Sequence, residues 1–460
     1  MFSEPYTLSF IAIPIVIATG YFIVKKYNTQ AALFTAGILM LALGALSGNS
    51  DFIPGNASSS GAVVFDFFVV ISALSSSTLA NLGLIIMSVG GFSKYMNHIG
   101  AANAMVNVVT KPLSVFKNPY VVLALTYIIG QLINIFIPSA VGLALLLLVA
   151  LYPVLVRIGC TPAATAAVLA TTACLDLGPG SGNSNRAAEV IGIDAANYFL
   201  ANQMVVAPVV MIVIAVLHYF CQRYFDKRDA ANGVEAQTLS IDEQAQNDAP
   251  KWFAILPVLP LALLLVFSEF LISSVKVDVI SAMFFSLAVA MLANLVHSKD
   301  LKGVADSLKV FLSGMGTTFS SVVALIIAAN VFVEGLKAMG FIDLLLGTGA
   351  NLGLGYIGML VVMVTIIGLT ALLSGSGNAA FFSFSPLAPE VATSVGVTTA
   401  SLALPMQLAA GIFRSASPVA GVVIACAGAA NVSPVAVVQR TLIPMIGGIV
   451  ALIAMSALFL

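Results

Sequence analysis

Leu177-Gly178-Pro179-Gly180-Ser181-Gly182-Asn183-Ser184-Asn185 and Leu373-Ser374-Gly375-Ser376-Gly377-Asn378 each cut a long apolar run with glycine, serine and asparagine. The runs around them set the solvent. Of 460 residues, 60% are hydrophobic and only 8% are charged, and the mean hydropathy is +1.08. A soluble domain carries about 25% charged residues, so this chain needs lipid as part of its solvent. In a bilayer, backbone freed from a helix is tolerated only where it is buried in protein or faces a wet cavity. The interruptions therefore locate the interior of the molecule. Two more belong with them, Ile137-Pro138-Ser139-Ala140-Val141-Gly142 and Arg414-Ser415-Ala416-Ser417-Pro418-Val419-Ala420-Gly421.

Apolar runs of about 20 residues, the length a helix needs to cross the hydrocarbon core, recur along nearly the whole sequence. They fall near Leu8–Val24, Ala31–Leu46, Leu79–Met96, Tyr120–Phe136, Ala140–Val156, Ala195–Tyr219, Phe253–Leu271 and Ile280–His297, then Phe311–Val333, Gly355–Leu373, Ser401–Ile412 and Leu442–Leu460. The pattern predicts an all-α polytopic membrane protein of about 10–12 spans. Lys25 and Lys26 follow the first run and no basic flank precedes it, which argues for a retained span with the N-terminus outside. One long hydrophilic stretch, Arg223 to Lys251, divides the chain into a membrane unit 1–222, a linker 223–251 and a membrane unit 252–460. Arg223, Lys227, Arg228 and Lys251 at its ends place the linker in the cytoplasm.

The two units resemble one another. Tyr152-Pro153 through Gly159 aligns with Ala388-Pro389 through Gly396, and Pro208 aligns with Pro444 at the same offset. Phe92 with Gly100 matches Phe332 with Gly340 at nearly that offset. The loop after Phe92 carries Lys94, His98, Lys111 and Lys117, whereas its counterpart carries Glu334, Lys337 and Asp343. Matching segments of opposite charge bias are expected of two inverted-topology repeats.

The chemistry at the interruptions suits an anion. Glycine lets the chain leave the helix, and the next helix start offers backbone N–H groups backed by the positive end of its dipole. Serine and asparagine add neutral donors without a permanent charge at depth. The competing account is close helix packing through small residues; four interruptions in paired positions favour a binding site. Arg414 either clamps one end of a dianion or snorkels to the interface. Asp176, Arg186 and Glu189 flank the first-unit break, where an Asp176–Arg186 pair, a proton relay and a plain interfacial position all compete, the last being the expected one. Asp66, Arg157 and Arg440 read as span-end charges. Cys160, Cys174, Cys221 and Cys426 have no metal or disulfide spacing, His98, His218 and His297 read as loop-end residues, and no nucleophile or phosphate-binding motif occurs. The formal net charge of −1 gives no nucleic-acid footprint. A secondary carrier is expected over a channel or an embedded enzyme, with no cofactor.

At these same interruptions the sequence resembles the anaerobic C4-dicarboxylate carrier family, the DcuC type. The resemblance rests on Gly375-Ser376-Gly377-Asn378-Ala379, on Arg414-Ser415-Ala416-Ser417-Pro418-Val419-Ala420-Gly421, on Ser433-Pro434 with Arg440-Thr441 and Pro444, and on Phe92 with His98-Ile99-Gly100-Ala101. It implies a bacterial inner-membrane carrier of succinate, fumarate or malate, coupled to protons or, as the alternative, sodium, and working as a homodimer. It further implies that Ser139 and Gly142 lie at one hairpin tip and Gly375, Ser376, Gly377 and Asn378 at the other. Gly180, Ser181, Gly182 and Asn183 would mark one unwound helix, and Arg414, Ser417 and Pro418 the second. The family pattern leads one to expect an acid where Asn183 stands. Related branches handle other small carboxylates or amino acids.

Overall fold

Local capping chemistry sets many of the helix starts. Asn118, Thr161, Asp278, Asp300, Thr398 and Ser433 each accept a hydrogen bond from an amide two or three residues onward, satisfying donors that the first turn leaves unpaired. The structure, a computed structural model, describes residues 7–25, 27–46, 58–111, 113, 116, 118–231, 249–267, 272 and 274–460. Lys26, Lys117 and the linker residues 232–248 lie outside the described residues, as do the side chains of Arg157 and Asp343.

In chain order the helices are α1 (Thr7–Val24), α2 (Thr29–Leu46), α3 (Val63–Thr78), α4 (Leu84–His98), α5 (Ala101–Thr110), α6 (Pro119–Asn134), α7 (Ala140–Arg157), α8 (Pro162–Thr171), α9 (Gly182–Ile191), α10 (Ala195–Tyr198) and α11 (Met204–Ala231). Then follow α12 (Leu259–Val266), α13 (Val279–Ser298), α14 (Leu301–Thr318), α15 (Ala324–Ala338), α16 (Phe341–Asn351), α17 (Tyr356–Ser374), α18 (Gly377–Phe384), α19 (Ala388–Ser394), α20 (Thr399–Ser415), α21 (Gly421–Ala429) and α22 (Pro434–Phe459). Among the described residues, six helical segments are long and apolar enough to cross a membrane by length and composition. Apolar side chains such as Phe220, Phe285, Leu292, Ile446 and Val450 stand exposed on α11, α13 and α22, as expected where lipid replaces water.

The four interruptions are real breaks. The chain leaves helix between α6 and α7, between α8 and α9, between α17 and α18, and between α20 and α21. Elements that the sequence alignment pairs also share irregularities. Five-residue π-helical turns, Leu79–Gly83 and Phe319–Val323, join α3 to α4 and α14 to α15. Gly100 and Gly340 close α4 and α15 at φ +75° and +67°, and Gly159 and Gly396 both take positive φ before a capping threonine.

Some expectations change. The hydrophilic stretch does not begin as a linker: α11 runs on to Ala231, so Arg223 to Arg228 are helical. Lys94 lies within α4 and not in a loop. His218 lies inside α11 and is fully buried. Val63–Thr78 forms a helix that the apolar runs did not single out, because Asp66 breaks its hydropathy; Ser59 and Ser60 hold that carboxylate.

Helix pairs in the interior meet through small residues, because lipid tails leave little hydrophobic force between helices and contact must come from close packing. α2 crosses α15, α4 crosses α14, α11 lies on α22 and α17 on α20. A Cβ placed on Gly37 would stand 2.7 Å from the backbone of Val331 and Phe332. Gly37→Val is therefore expected to destabilise the protein by about 1–3 kcal/mol. A thermal-unfolding midpoint in detergent equal to that of the unaltered protein would refute this reading of the α2–α15 contact.

Candidate functional site

Four helices begin at the four breaks, and serine caps three of them. Ser139 Oγ accepts from the Gly142 amide at 3.2 Å, Ser181 Oγ from the Ser184 amide at 3.4 Å, and Ser376 Oγ from the Ala379 amide at 3.1 Å. The fourth helix, α21, follows Ala420 without a side-chain cap. Each start presents unpaired amides and about half a positive charge. All four meet at one cavity of about 490 Å3, lined by Ser139 to Val141, Gly180 to Asn183, Gly375 to Asn378, and Gly421 with Val422. Arg414 and Asp176 also line it. A larger cavity of about 760 Å3 lies at the far end of α9, against Asn185, Glu189 and Asp194, and touches none of the four helix starts.

The interior of this site is a connected polar network. Asp176 adopts φ +47°, a conformation in which aspartate is among the few tolerated non-glycine residues. Its Oδ2 accepts from Arg414 Nη1 at 3.2 Å and from Asn183 Nδ2 at 2.9 Å. The same Asn183 nitrogen donates to Asn378 Oδ1 at 3.1 Å, joining the first-unit break to the second. Arg414 Nη2 donates to the Ala173 carbonyl at 2.6 Å. Behind them, Gln407 Nε2 donates to the Leu175 and Asp176 carbonyls, and its Oε1 accepts from Tyr198 and Gln203. Ser184 Oγ donates to the Asp176 carbonyl, and Gln203 Oε1 accepts from the Gly178 amide. The freed backbone of the break is thus satisfied by side chains, which is what lets it exist at depth. Asn183 Oδ1 and Arg414 Nε are buried without a partner among the described residues.

Of the residues expected at the site, Ser139, Gly180, Ser181, Gly182, Asn183, Gly375, Ser376, Gly377, Asn378 and Arg414 line the cavity. Gly142, Ser417 and Pro418 do not. Gly142 supports the Ser139 cap, Ser417 Oγ donates to the Leu372 carbonyl, and Pro418 is exposed. Asp176 is neither interfacial nor paired with Arg186: it is 8% exposed and pairs with Arg414, 238 residues away. Arg186 instead bridges Glu189 and Asn330, each at 2.6 Å, and donates from Nε to Ser385. Arg414 does not snorkel, since it is 9% exposed and tied at depth. Arg440, read as a span-end charge, is buried between Asp226 and Asp229 near the end of α11, 2.6 Å from each.

The opposite wall of the cavity escaped the sequence reading. Gly90, Ser93, Lys94 and Asn97 of α4 face it together with Gly314, Thr317 and Thr318 of α14. Their spacing by threes and fours, one helical face in each case, was the available signal. Lys94 donates to Ser313 at 3.0 Å and has no carboxylate partner among the described residues.

The fold built around these breaks is that of an all-helical, multi-span membrane transporter. The crystal structure of the Alcanivorax borkumensis YdaH transporter superimposes with a TM-score of 0.64 at 17% identity, covering 94% of this chain and 98% of that one. The model of the C4-dicarboxylate anaerobic carrier family, DcuC, matches residues 8–459. This chain belongs to that family, a family of membrane transporters and not of enzymes. It is 34% identical over 444 residues to the probable anaerobic C4-dicarboxylate transporter DcuC of Vibrio cholerae, with 96% of each chain covered. It is 32% identical over 448 residues to the anaerobic C4-dicarboxylate transporter DcuC of Escherichia coli, covering 97% of this chain and 96% of that one.

Proposed function

We propose that this chain is a secondary active transporter of C4-dicarboxylates such as succinate, fumarate and malate, working by alternating access in a bacterial inner membrane. The observation that carries the reading is the convergence of four helix starts on one cavity, furnished with serine, asparagine and one arginine. Fixed amides and neutral donors hold a carboxylate without the permanent charge that would stop it leaving. A cavity of about 490 Å3 lies within the range of small-ligand sites, roughly 300–1,000 Å3. Ser139, Ser181 to Asn183, Ser376 to Asn378 and Arg414 are the proposed binding residues.

The architecture we infer is a pair of inverted-topology repeats, each contributing one re-entrant hairpin and one unwound helix. The matched π-helical turns, the matched positive-φ glycines and the matched breaks support this arrangement. Charge bias supports an outside N-terminus and a cytoplasmic linker between the units. Proton-coupled symport or exchange, with sodium as the alternative ion, and homodimeric assembly rest on the family resemblance.

Uptake of labelled succinate into proteoliposomes, with counterflow against unlabelled succinate, malate, aspartate and citrate, tests the substrate assignment. Internal succinate is expected to drive uptake, and other C4 diacids to compete. Asn378→Ala removes the acceptor that ties the two breaks and is expected to abolish counterflow while leaving the elution profile of the purified protein unchanged. Normal counterflow in that variant would remove Asn378 from the site; exchange of another carboxylate in place of succinate would overturn the substrate class.

A further inference from the structure

We propose that the Asp176–Arg414 ion pair couples the proton to the substrate: a proton on Asp176 releases Arg414 to take a substrate carboxylate, so proton and dianion load together. This rests on the dicarboxylate reading above and adds to it the coupling residue and the order of events.

The pair sits where coupling has to happen. Both residues line the cavity, and both are about nine-tenths buried. Arg414 is held but not saturated. Nη1 donates to Asp176 and Nη2 to the Ala173 carbonyl, while Nε is buried without an acceptor among the described residues. A guanidinium has five donors in a planar fork suited to a carboxylate. An arginine with a purely structural role at this depth would be expected to satisfy them internally. Asp176 in turn receives both of its bonds at Oδ2, which leaves Oδ1 as the oxygen to be protonated. Asn183 passes the state of that carboxyl to Asn378, since its amide nitrogen donates to both.

Electrostatics sets the direction. With Asp176 ionised, the pair is neutral, and a dianion approaching Arg414 meets a carboxylate already in place. Protonation changes Nη1···Oδ2 from an ion pair into a hydrogen bond to a neutral acceptor, and leaves an uncompensated guanidinium in a water-poor site, where its attraction for an anion is greatest. The proton adds to Oδ1 from the aqueous side to which the cavity is open. The guanidinium then pairs with the incoming carboxylate. After reorientation, loss of the proton to the other side restores the Asp176 carboxylate, which recaptures Arg414 and displaces the substrate. Only an O–H bond forms and breaks, and one proton accompanies each dianion through this site. The other ionisable groups around Asp176 are Cys174 on the same segment, Tyr127 of α6, Tyr198 of α10 and Lys94 across the cavity. Arg186 and Glu189 on α9 are paired with each other.

The test uses the full-length protein in proteoliposomes carrying a trapped pH dye and labelled succinate. Succinate counterflow by the unaltered protein comes first, and its absence would count against the dicarboxylate reading itself. Given counterflow, the proposal expects net succinate entry into vesicles free of internal substrate to acidify the lumen. It also expects the half-saturating succinate concentration to rise about tenfold per pH unit on the alkaline side, the slope of one linked proton. Asp176→Asn is expected to retain exchange at a reduced rate, to lose proton movement, and to bind succinate independently of pH. Asp176→Glu is expected to keep proton movement. Proton movement by Asp176→Asn at the unaltered ratio to succinate would overturn the proposal. Net succinate uptake by the unaltered protein into vesicles free of internal substrate, without acidification of the lumen, would also overturn it. If neither variant folds, pH-independent succinate affinity of the unaltered protein, read from thermal shift in detergent, would overturn it as well.

Discussion

Arg440→Ala is expected to cost about 3–5 kcal/mol, the scale for stripping one partner from a buried ion pair. Arg440 reaches Asp226 through Nη1 and Asp229 through Nη2, and Nη1 also donates to Gln222. Thr161 donates to the same Asp226 oxygen, while Gln222 Nε2 and Cys221 Sγ donate to the Arg440 carbonyl. One guanidinium therefore locks α22 to the end of α11, and through Thr161 to the start of α8. Without it, the Asp226 carboxylate is left buried without this cation, while Asp229, 28% exposed, keeps Arg228 at 3.5 Å. Arg440→Lys keeps the charge but cannot span both carboxylates in a planar fork, so an intermediate loss is expected. Thermal unfolding in detergent followed by size-exclusion chromatography reads the effect. Unchanged recovery of folded Arg440→Ala would mean that the cluster is hydrated and contributes little.

Gly411→Ala is the second change with a large expected effect. Gly411 lies on α20 where that helix passes the unwound segment, and a Cβ there would overlap the Cys174 carbonyl. Backbone cannot rotate aside as a side chain can, so the segment must move, at about 1–3 kcal/mol for an overpacked contact. Asp176 lies two residues beyond Cys174, and a displacement of about 1 Å in positioned groups can cost on the order of a hundredfold in rate. Counterflow is therefore expected to fall far more than protein yield. Gly316→Ala on α14 is the matching control, because a Cβ there meets nothing within 4 Å; it should transport as the unaltered protein does. Equal behaviour of the two alanine variants would show that the close approach at Gly411 does not position the site.

Each of these effects depends on a contact between residues far apart in the chain, and that is where sequence reasoning stopped. Residue types alone marked the places where helices had to break. Glycine in Gly180-Ser181-Gly182 and Gly375-Ser376-Gly377 relaxes the backbone, and a serine beside it caps the next helix. Both effects act within a few residues, so ten of the thirteen expected site residues line the cavity. Ser417 and Pro418 lie outside the lining because a break exposes only part of its length to a cavity, and which part depends on how α20 and α21 are packed.

Charges were the least legible. Apolar neighbours made Arg414 ambiguous and Arg440 unremarkable, since the energy of a buried charge is set by its partner and the partner is chosen by the fold. Asp176 lies 10 residues from Arg186 in sequence yet pairs with Arg414, at a sequence separation of 238. The far wall of the cavity followed the same rule: Lys94, Asn97 and Thr317 sit on helices with no interruption in those segments, and only the crossing of α4 with α14 turns those faces toward the four helix starts. The sequence by itself determined the solvent, the breaks and the caps, because composition and local backbone chemistry act at short range. The tertiary structure decided which charges meet and which faces close the cavity, because those depend on distances that only packing sets.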